Sequence, residues 1–288
     1  MRPQNWVFLG DSLTEGIGSA RTTFVSDFAA HLRQSGSGSR AIHLMRLREV
    51  DPGTFNPYIP TNLAGFIEAG SPDSDAALWI LNLASEGTTI ASDQQWLPFL
   101  RNLRPERIFI YRGSLESIVR PAALRDGHWP SWVPRSWRGL VSMDPRCYFS
   151  STWHRYAKQA AIDAIKQRAR LRLLRDRPGQ PHLDPDVILG HYRSLLGSLA
   201  EVTPSVVMLG LIGTDERCFP GTSAHFEALN ARLRRLADEH RVTFIDWAAD
   251  IDAARGEHAW RYRDGFHPNA AGAQLLGTIL HRRLGGAP

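Results

Sequence analysis

The sequence has 288 residues, 43% of them hydrophobic, with 34 basic against 29 acidic side chains and a formal charge of +5. That length supplies the core of one large α/β domain or two small ones, and no apolar run reaches the roughly 18 residues a membrane-spanning helix needs. Eight basic and two acidic residues between Arg155 and Arg177 place a balance of +6 there, which leaves the rest of the chain near neutral and argues against a generally basic, nucleic-acid-binding surface.

The opening residues, MRPQNWVFLG, hold one arginine and no long apolar stretch or small-residue cleavage site, so they read as mature chain, not a signal peptide. Strands are predicted at 6–9 (WVFL), 41–47 (AIHLMRL), 77–84 (ALWILNLA), 107–112 (RIFIYR), 205–212 (SVVMLGLI) and 242–247 (VTFIDW). Each is short and apolar almost throughout, the pattern of strands buried on both faces of a parallel sheet. Helices are predicted between them, at about 22–33, 91–103, 186–202 and 223–239. In the last, Phe226, Leu229, Leu233 and Leu236 form one apolar stripe. A final helix is expected after Pro268, which fits a first helical turn without loss of a hydrogen bond. This rhythm predicts an α/β domain of three layers with a central, mostly parallel sheet, spanning 1–288 as one unit.

Two stretches interrupt the rhythm. SGSGS at 35–39 reads as a flexible connection. Residues 118–185 read as an insertion containing Pro121, Pro130, Pro134 and Pro145 and four of the nine tryptophans, Trp129, Trp132, Trp137 and Trp153. Its second half is an amphipathic, arginine-rich helical stretch. One reading is an arm whose apolar stripe packs on the main domain while its arginines, Arg168, Arg170 and Arg172 among them, face water. Another is a lid, with tryptophans lining an acyl or aromatic pocket and residues 155–177 drawing in an acidic carrier or an anionic surface. The two cysteines, Cys147 and Cys218, suit a reducing cytoplasm better than a disulfide scaffold, and no histidine or cysteine spacing makes a metal site.

Chemistry concentrates at the two ends. FLGDSLTEG (8–16) runs a buried strand into Gly10, Asp11, Ser12 and a helix start. Asp and Ser there are ordinary turn and cap residues. In an open α/β sheet, however, ligands bind at the carboxyl ends of strands, where Ser12 could present its hydroxyl beside backbone N–H groups. A serine needs a positioned base. Of 11 histidines only His267 has an aspartate three residues before it, Asp264, in DGFHPNAAG. That spacing lets the Asp264 carboxylate meet one ring nitrogen and leaves the other free for the serine proton.

With GDSLTEG near one end and DGFHPN near the other, the chain resembles the SGNH/GDSL hydrolase family over 5–117 and 186–285. The resemblance implies a flavodoxin-like α/β/α fold, cofactor-free serine esterase or acyltransferase chemistry on a small acyl ester, and a triad of Ser12, Asp264 and His267. It further implies an oxyanion hole built from the Ser12 N–H, a glycine N–H matching Gly87 of NLASEGTT, and an asparagine side chain. The asparagine is missing: where the family has Gly-x-Asn-Asp, this chain has Gly113-Ser114-Leu115-Glu116. Three explanations stay open. Arg112 or Ser114 substitutes as donor; the substrate is activated, as a thioester is; or hydrolysis is suppressed in favour of acyl transfer or simple ligand binding.

Overall fold

The computed structural model describes residues 4–16, 23–35, 42–46, 78–253 and 260–284. The expected flexible connection lies outside the described residues beyond Ser35, as do the first three residues. In chain order the elements are β1 (Gln4–Gly10), α1 (Ser12–Glu15), α2 (Phe24–Ser35), β2 (Ile42–Arg46), β3 (Leu78–Asn82), α3 (Leu97–Leu103), β4 (Arg107–Tyr111) and α4 (Ser114–Ser117). There follow β5 (Val119–Arg120), α5 (Ala123–Asp126), α6 (Trp153–Asp176), β6 (Gln180–Pro181) and α7 (Pro185–Leu199). The chain then runs through β7 (Val206–Leu209), α8 (Thr222–His240), β8 (Thr243–Ile245), α9 (Ala248–Ala253) and α10 (Ala270–Arg283).

Six strands make one sheet in the order β2-β3-β1-β4-β7-β8, and every pairing in it is parallel. All six predicted strands are present. In β1, β3, β4 and β7 the continuous apolar character follows from burial on both faces, while the edge strands β2 and β8 are only partly buried. Trp6 and Phe8 meet Phe24 and Phe28 of α2, and Phe8 stacks on Phe109 of β4 at 4.2 Å between ring centroids. Val7, Leu9, Ile108 and Ile110, one position out of phase, fall on the other face and are equally buried. Helix α2 packs against α10, while α7 packs against α8 and against a 3-10 turn at Ile90–Trp96. From β1 the chain moves first toward β2 and β3 on one side, then crosses to β4, β7 and β8 on the other. The carboxyl end of β1 therefore lies where an open α/β sheet forms its ligand crevice.

Two element boundaries differ from expectation. The stretch predicted as helix at 91–103 begins as the 3-10 turn and becomes α-helical only at Leu97, with Pro98 in the first turn. The last helix is capped by Asn269, whose side chain accepts from Gly272 N at 3.0 Å. Pro268 lies outside it, bridged to Arg261.

The insertion leaves and returns at one place, because β5 and β6 pair antiparallel through Val119–Pro181 and Arg120–Gln180. Helix α6 matches the predicted helical stretch, but its buried residues are Asp163, Ala169, Arg170 and Leu173, while Ile162, Ile165 and Leu171 are exposed. The expected apolar stripe beneath water-facing arginines is thus corrected. Ala169 and Leu173 join Val133 and Met143 in a small core with Trp129 and Trp137 against it, and Arg170 lies in the protein interior. Trp132 and Trp153 are exposed, so two of the four tryptophans pack within the insertion and two face solvent. Among the described residues no helix is long and apolar enough to cross a membrane.

Candidate active site

Strand β1 ends at Gly10, and Asp11 caps α1 by accepting from Leu13 N at 3.0 Å. Ser12 is the first helical residue, so its own N–H has no intrahelical acceptor. One turn later the chain exits at Gly16 with φ 83°. The short helix holds Ser12 half-buried at the end of the central strand.

The second half of the site is the loop 260–269, closed on itself by Tyr262 N to His267 O at 2.8 Å and Asn269 N to Trp260 O at 2.9 Å. Gly265, at φ 68°, makes its tight bend, and a Cβ there would lie 2.4 Å from that of Asp215. Within this loop the fully buried Asp264 uses its two oxygens differently. Oδ1 accepts from the backbone of Phe266 and His267, at 3.0 and 3.1 Å. Oδ2 pairs with His267 Nδ1 at 2.6 Å. A carboxylate only accepts, so Nδ1 carries the hydrogen and Nε2 is the ring's acceptor. That nitrogen lies 2.9 Å from Ser12 Oγ, 255 residues away in sequence. Phe266 sets its ring edge-on to the imidazole at 4.9 Å. Ser12, His267 and Asp264 are therefore brought together in the predicted order.

The loop after β3 lies beside the nucleophile turn. Ser85 N donates to Gly10 O at 3.1 Å, and Glu86 N donates to Glu15 Oε2 at 2.6 Å. Asn82 donates to Thr14 O at 2.8 Å. Residues 85–88 form a turn closed by Thr88 N and Thr88 Oγ1, both donating to Ser85 O at 3.4 and 2.5 Å. Gly87 occupies its third position with φ 71°, where a side chain would be strained. It is exposed, and among the described residues its N–H has no acceptor.

Both substitutes considered for the missing asparagine are committed elsewhere. Arg112 is 1% exposed; it forks onto Asp93 through Nε and Nη2, at 2.8 and 2.5 Å, and its Nη1 donates to Thr88 Oγ1 at 2.6 Å. The Ser114 hydroxyl donates to Asp11. Leu115 is partly exposed between them, and Glu116 is buried with Oε1 accepting from Ile90 N at 2.8 Å. Burial opposes the charge on Arg112, but the paired Asp93 holds the guanidinium above its usual range. Burial pushes Asp11 up, against the pull of Ser114 and Arg112. Burial likewise raises Glu116 to about 7. Sequence reasoning missed Thr88, Asp93 and Glu116. The legible clue was a pair of charged residues, Arg112 and Glu116, four positions apart just after the largely apolar β4.

The insertion reaches this site. Asp163 of α6 pairs with Arg263 at 3.6 Å and accepts from Arg146 N at 3.1 Å, and the Arg263 guanidinium lies 3.7 Å over the Phe149 ring. Between Arg146 and Phe149, Cys147 brings its sulfur within 4.8 Å of Asp264 and His267 ligand atoms. Burial, then the charge of Asp264, push this thiol up to about 12.

The pattern for GDSL-like lipases and acylhydrolases matches residues 8–275. The chain belongs to the GDSL-like lipase/acylhydrolase family. Solved structures with the same fold include a catalytic mutant of an acetylxylan esterase from Geobacillus stearothermophilus, at 15% identity, TM-score 0.50, and coverage of 98% of this chain and 94% of that one. An alpha/beta hydrolase enzyme from the metagenome of Lake Arreo, Spain, has 16% identity, TM-score 0.51, and coverage of 98% and 95%. A Parabacteroides merdae protein described as a GDSL-like lipase has 14% identity, TM-score 0.51, and coverage of 99% and 96%. No curated protein sequence matches the chain. This GDSL-type acylhydrolase has the family's central parallel sheet, with Ser12 and His267 meeting at the carboxyl end of its central strand β1.

Proposed function

We propose that this GDSL-type acylhydrolase cleaves carboxylic esters of small acylated molecules through Ser12, His267 and Asp264. The observation that carries the reading is the continuous relay of Asp264 Oδ2, His267 Nδ1–H, His267 Nε2 and Ser12 Oγ, at 2.6 and 2.9 Å. Ser12 Oγ attacks the ester carbonyl while Nε2 takes its proton, and the carbonyl electrons move onto oxygen. The N–H groups of Ser12 and Gly87 receive that oxyanion. Collapse expels the alcohol, protonated by the imidazolium, and leaves an acyl-enzyme. Water, deprotonated by His267, then releases the acid. An alcohol or amine in place of water would make the same intermediate an acyl donor, and Leu115, where the family has a third donor, is the feature that favours testing for it.

Acetyl esters head the substrates to test, since an acetylxylan esterase shares the fold. The experiment is labelling with a fluorophosphonate, followed by turnover of p-nitrophenyl esters of increasing chain length with and without acceptor alcohols. Native protein is expected to label and turn over short esters, and Ser12→Ala to do neither. A native chain that neither labels nor turns over any ester would defeat the reading. The exposed basic residues of α6, Arg168 and Arg172 among them, remain the proposed attraction for an acidic carrier; Arg170 does not belong to that surface.

A further inference from the structure

We infer that Arg112 is a positioning residue for the oxyanion loop, which it holds through Thr88 and Asp93 in a chain that has no asparagine donor at Leu115. The inference rests on the reading above in one respect, that Gly87 N–H receives the oxyanion.

The geometry is a clamp. Arg112 follows the last residue of β4, and its backbone carbonyl accepts from Tyr192 OH at 2.9 Å, which fixes the base of the side chain. The guanidinium spans two segments that follow β3. Nε and Nη2 grip Asp93 in the 3-10 turn, and Nη1 grips Thr88 at its hydroxyl and, at 3.2 Å, its carbonyl. Thr88 passes the constraint on, because its hydroxyl also donates to Ser85 O. Ser85 is in turn bonded to Gly10, beside the nucleophile. Gly87 lies between Ser85 and Thr88, which this chain of bonds ties down, and has the wide conformational freedom of glycine. Left alone, such a turn would sample many directions for its N–H.

The neighbours of Leu115 do similar work. Ser114 bonds Asp11, the cap of the nucleophile helix, and Glu116 receives Ile90 N at the start of the 3-10 turn. The segment after β4 thus fixes the frame around the two backbone donors. A hole with two well-fixed donors depends on their placement more than one with a third donor in reserve. Misplacement of a reacting group by about 1 Å costs on the order of 100-fold in rate.

The test uses the full chain with Thr88→Val, Thr88→Ser and Arg112→Gln, measuring kcat and KM for p-nitrophenyl acetate, the rate of Ser12 phosphonylation, and the urea midpoint. Thr88→Val removes the hydroxyl link at nearly constant shape. It is expected to lower kcat about 10- to 100-fold with KM within about 2-fold, and Thr88→Ser to restore most of the loss. Arg112→Gln is expected to fall at least as far, and the half-exposed Thr88 pair keeps the test valid where that variant fails to fold. Full turnover in Thr88→Val, or a raised KM at unchanged kcat, would overturn the positioning role while the esterase reading stands. An inactive, unlabelled wild type would remove the esterase reading itself, and the proposal with it.

Discussion

Asp264 shows how much one side chain can decide. Its Oδ1 is held by two backbone N–H groups, and only Oδ2 meets the imidazole ring. An asparagine here has one oxygen to offer, and two backbone donors compete for it. The amide NH2 is then turned toward Nδ1 and must donate to it. That forces the hydrogen onto Nε2, where it points at Ser12 and cannot take the serine proton. Asp264→Asn should therefore lower kcat by about 10,000-fold, the scale seen when a triad histidine is held in the wrong tautomer. KM for p-nitrophenyl acetate should barely change, and the urea midpoint should stay close to wild type. A variant with more than a tenth of native turnover would show that Asp264 does not orient the ring.

At the scale of elements, the triad was readable because each half is local in sequence. Gly10, Asp11 and Ser12 announce a strand end and helix cap, and Asp264 and His267 lie within one turn. The clamp was not readable. Asp93 and Thr88 stand 19 and 24 residues from Arg112, and nothing in RIFIYR says which way the last arginine turns. Helix α6 misled for a related reason: its arginines look alike in sequence, yet the partners that bury one of them come from elsewhere. Arg170 donates to Val119 O at 2.9 Å and to Cys218 O, lies 3.7 Å from Asp144, and stacks over Phe219 at 4.7 Å. Phe219 touches Phe266, the neighbour of His267. Arg170→Ala would strand two carbonyls and part of an ion pair, costing roughly 3 kcal/mol. Exposed Arg168 and Arg172 should each cost less than about 0.5 kcal/mol when replaced by alanine. Urea midpoints of the three single variants check this, and equal midpoints would return Arg170 to the surface.

For the whole molecule, the apolar strands and their alternation with helices were enough to anticipate a parallel, layered sheet. They could not reveal that acidic groups are buried beneath the crevice, because burial depends on strand order and not on local pattern. Glu116 is the case with a measurable consequence. One of its oxygens has no hydrogen-bond partner, and burial lifts its pKa from 4.5 to about 7 despite Ile90 N–H and Arg112. Between those values the native chain holds a proton that the unfolded chain has released. Stability from this group is therefore greatest below about pH 4.5 and declines as pH rises, with the full cost reached above about pH 7. The span is on the order of 3 kcal/mol. Asp11, raised in the same direction, adds to the trend, whereas exposed carboxylates such as Asp126, lowered by the His128 N–H and Arg177, oppose it. Comparison of wild type with Glu116→Gln isolates one contribution, since Asp11, Asp93, Arg112 and Tyr192 are common to both. The glutamine keeps an acceptor for Ile90 N–H and cannot ionise. Its urea midpoint should move upward relative to wild type between pH 5 and pH 8. Parallel profiles across that interval would mean that Glu116 carries its charge in the folded protein as readily as in water.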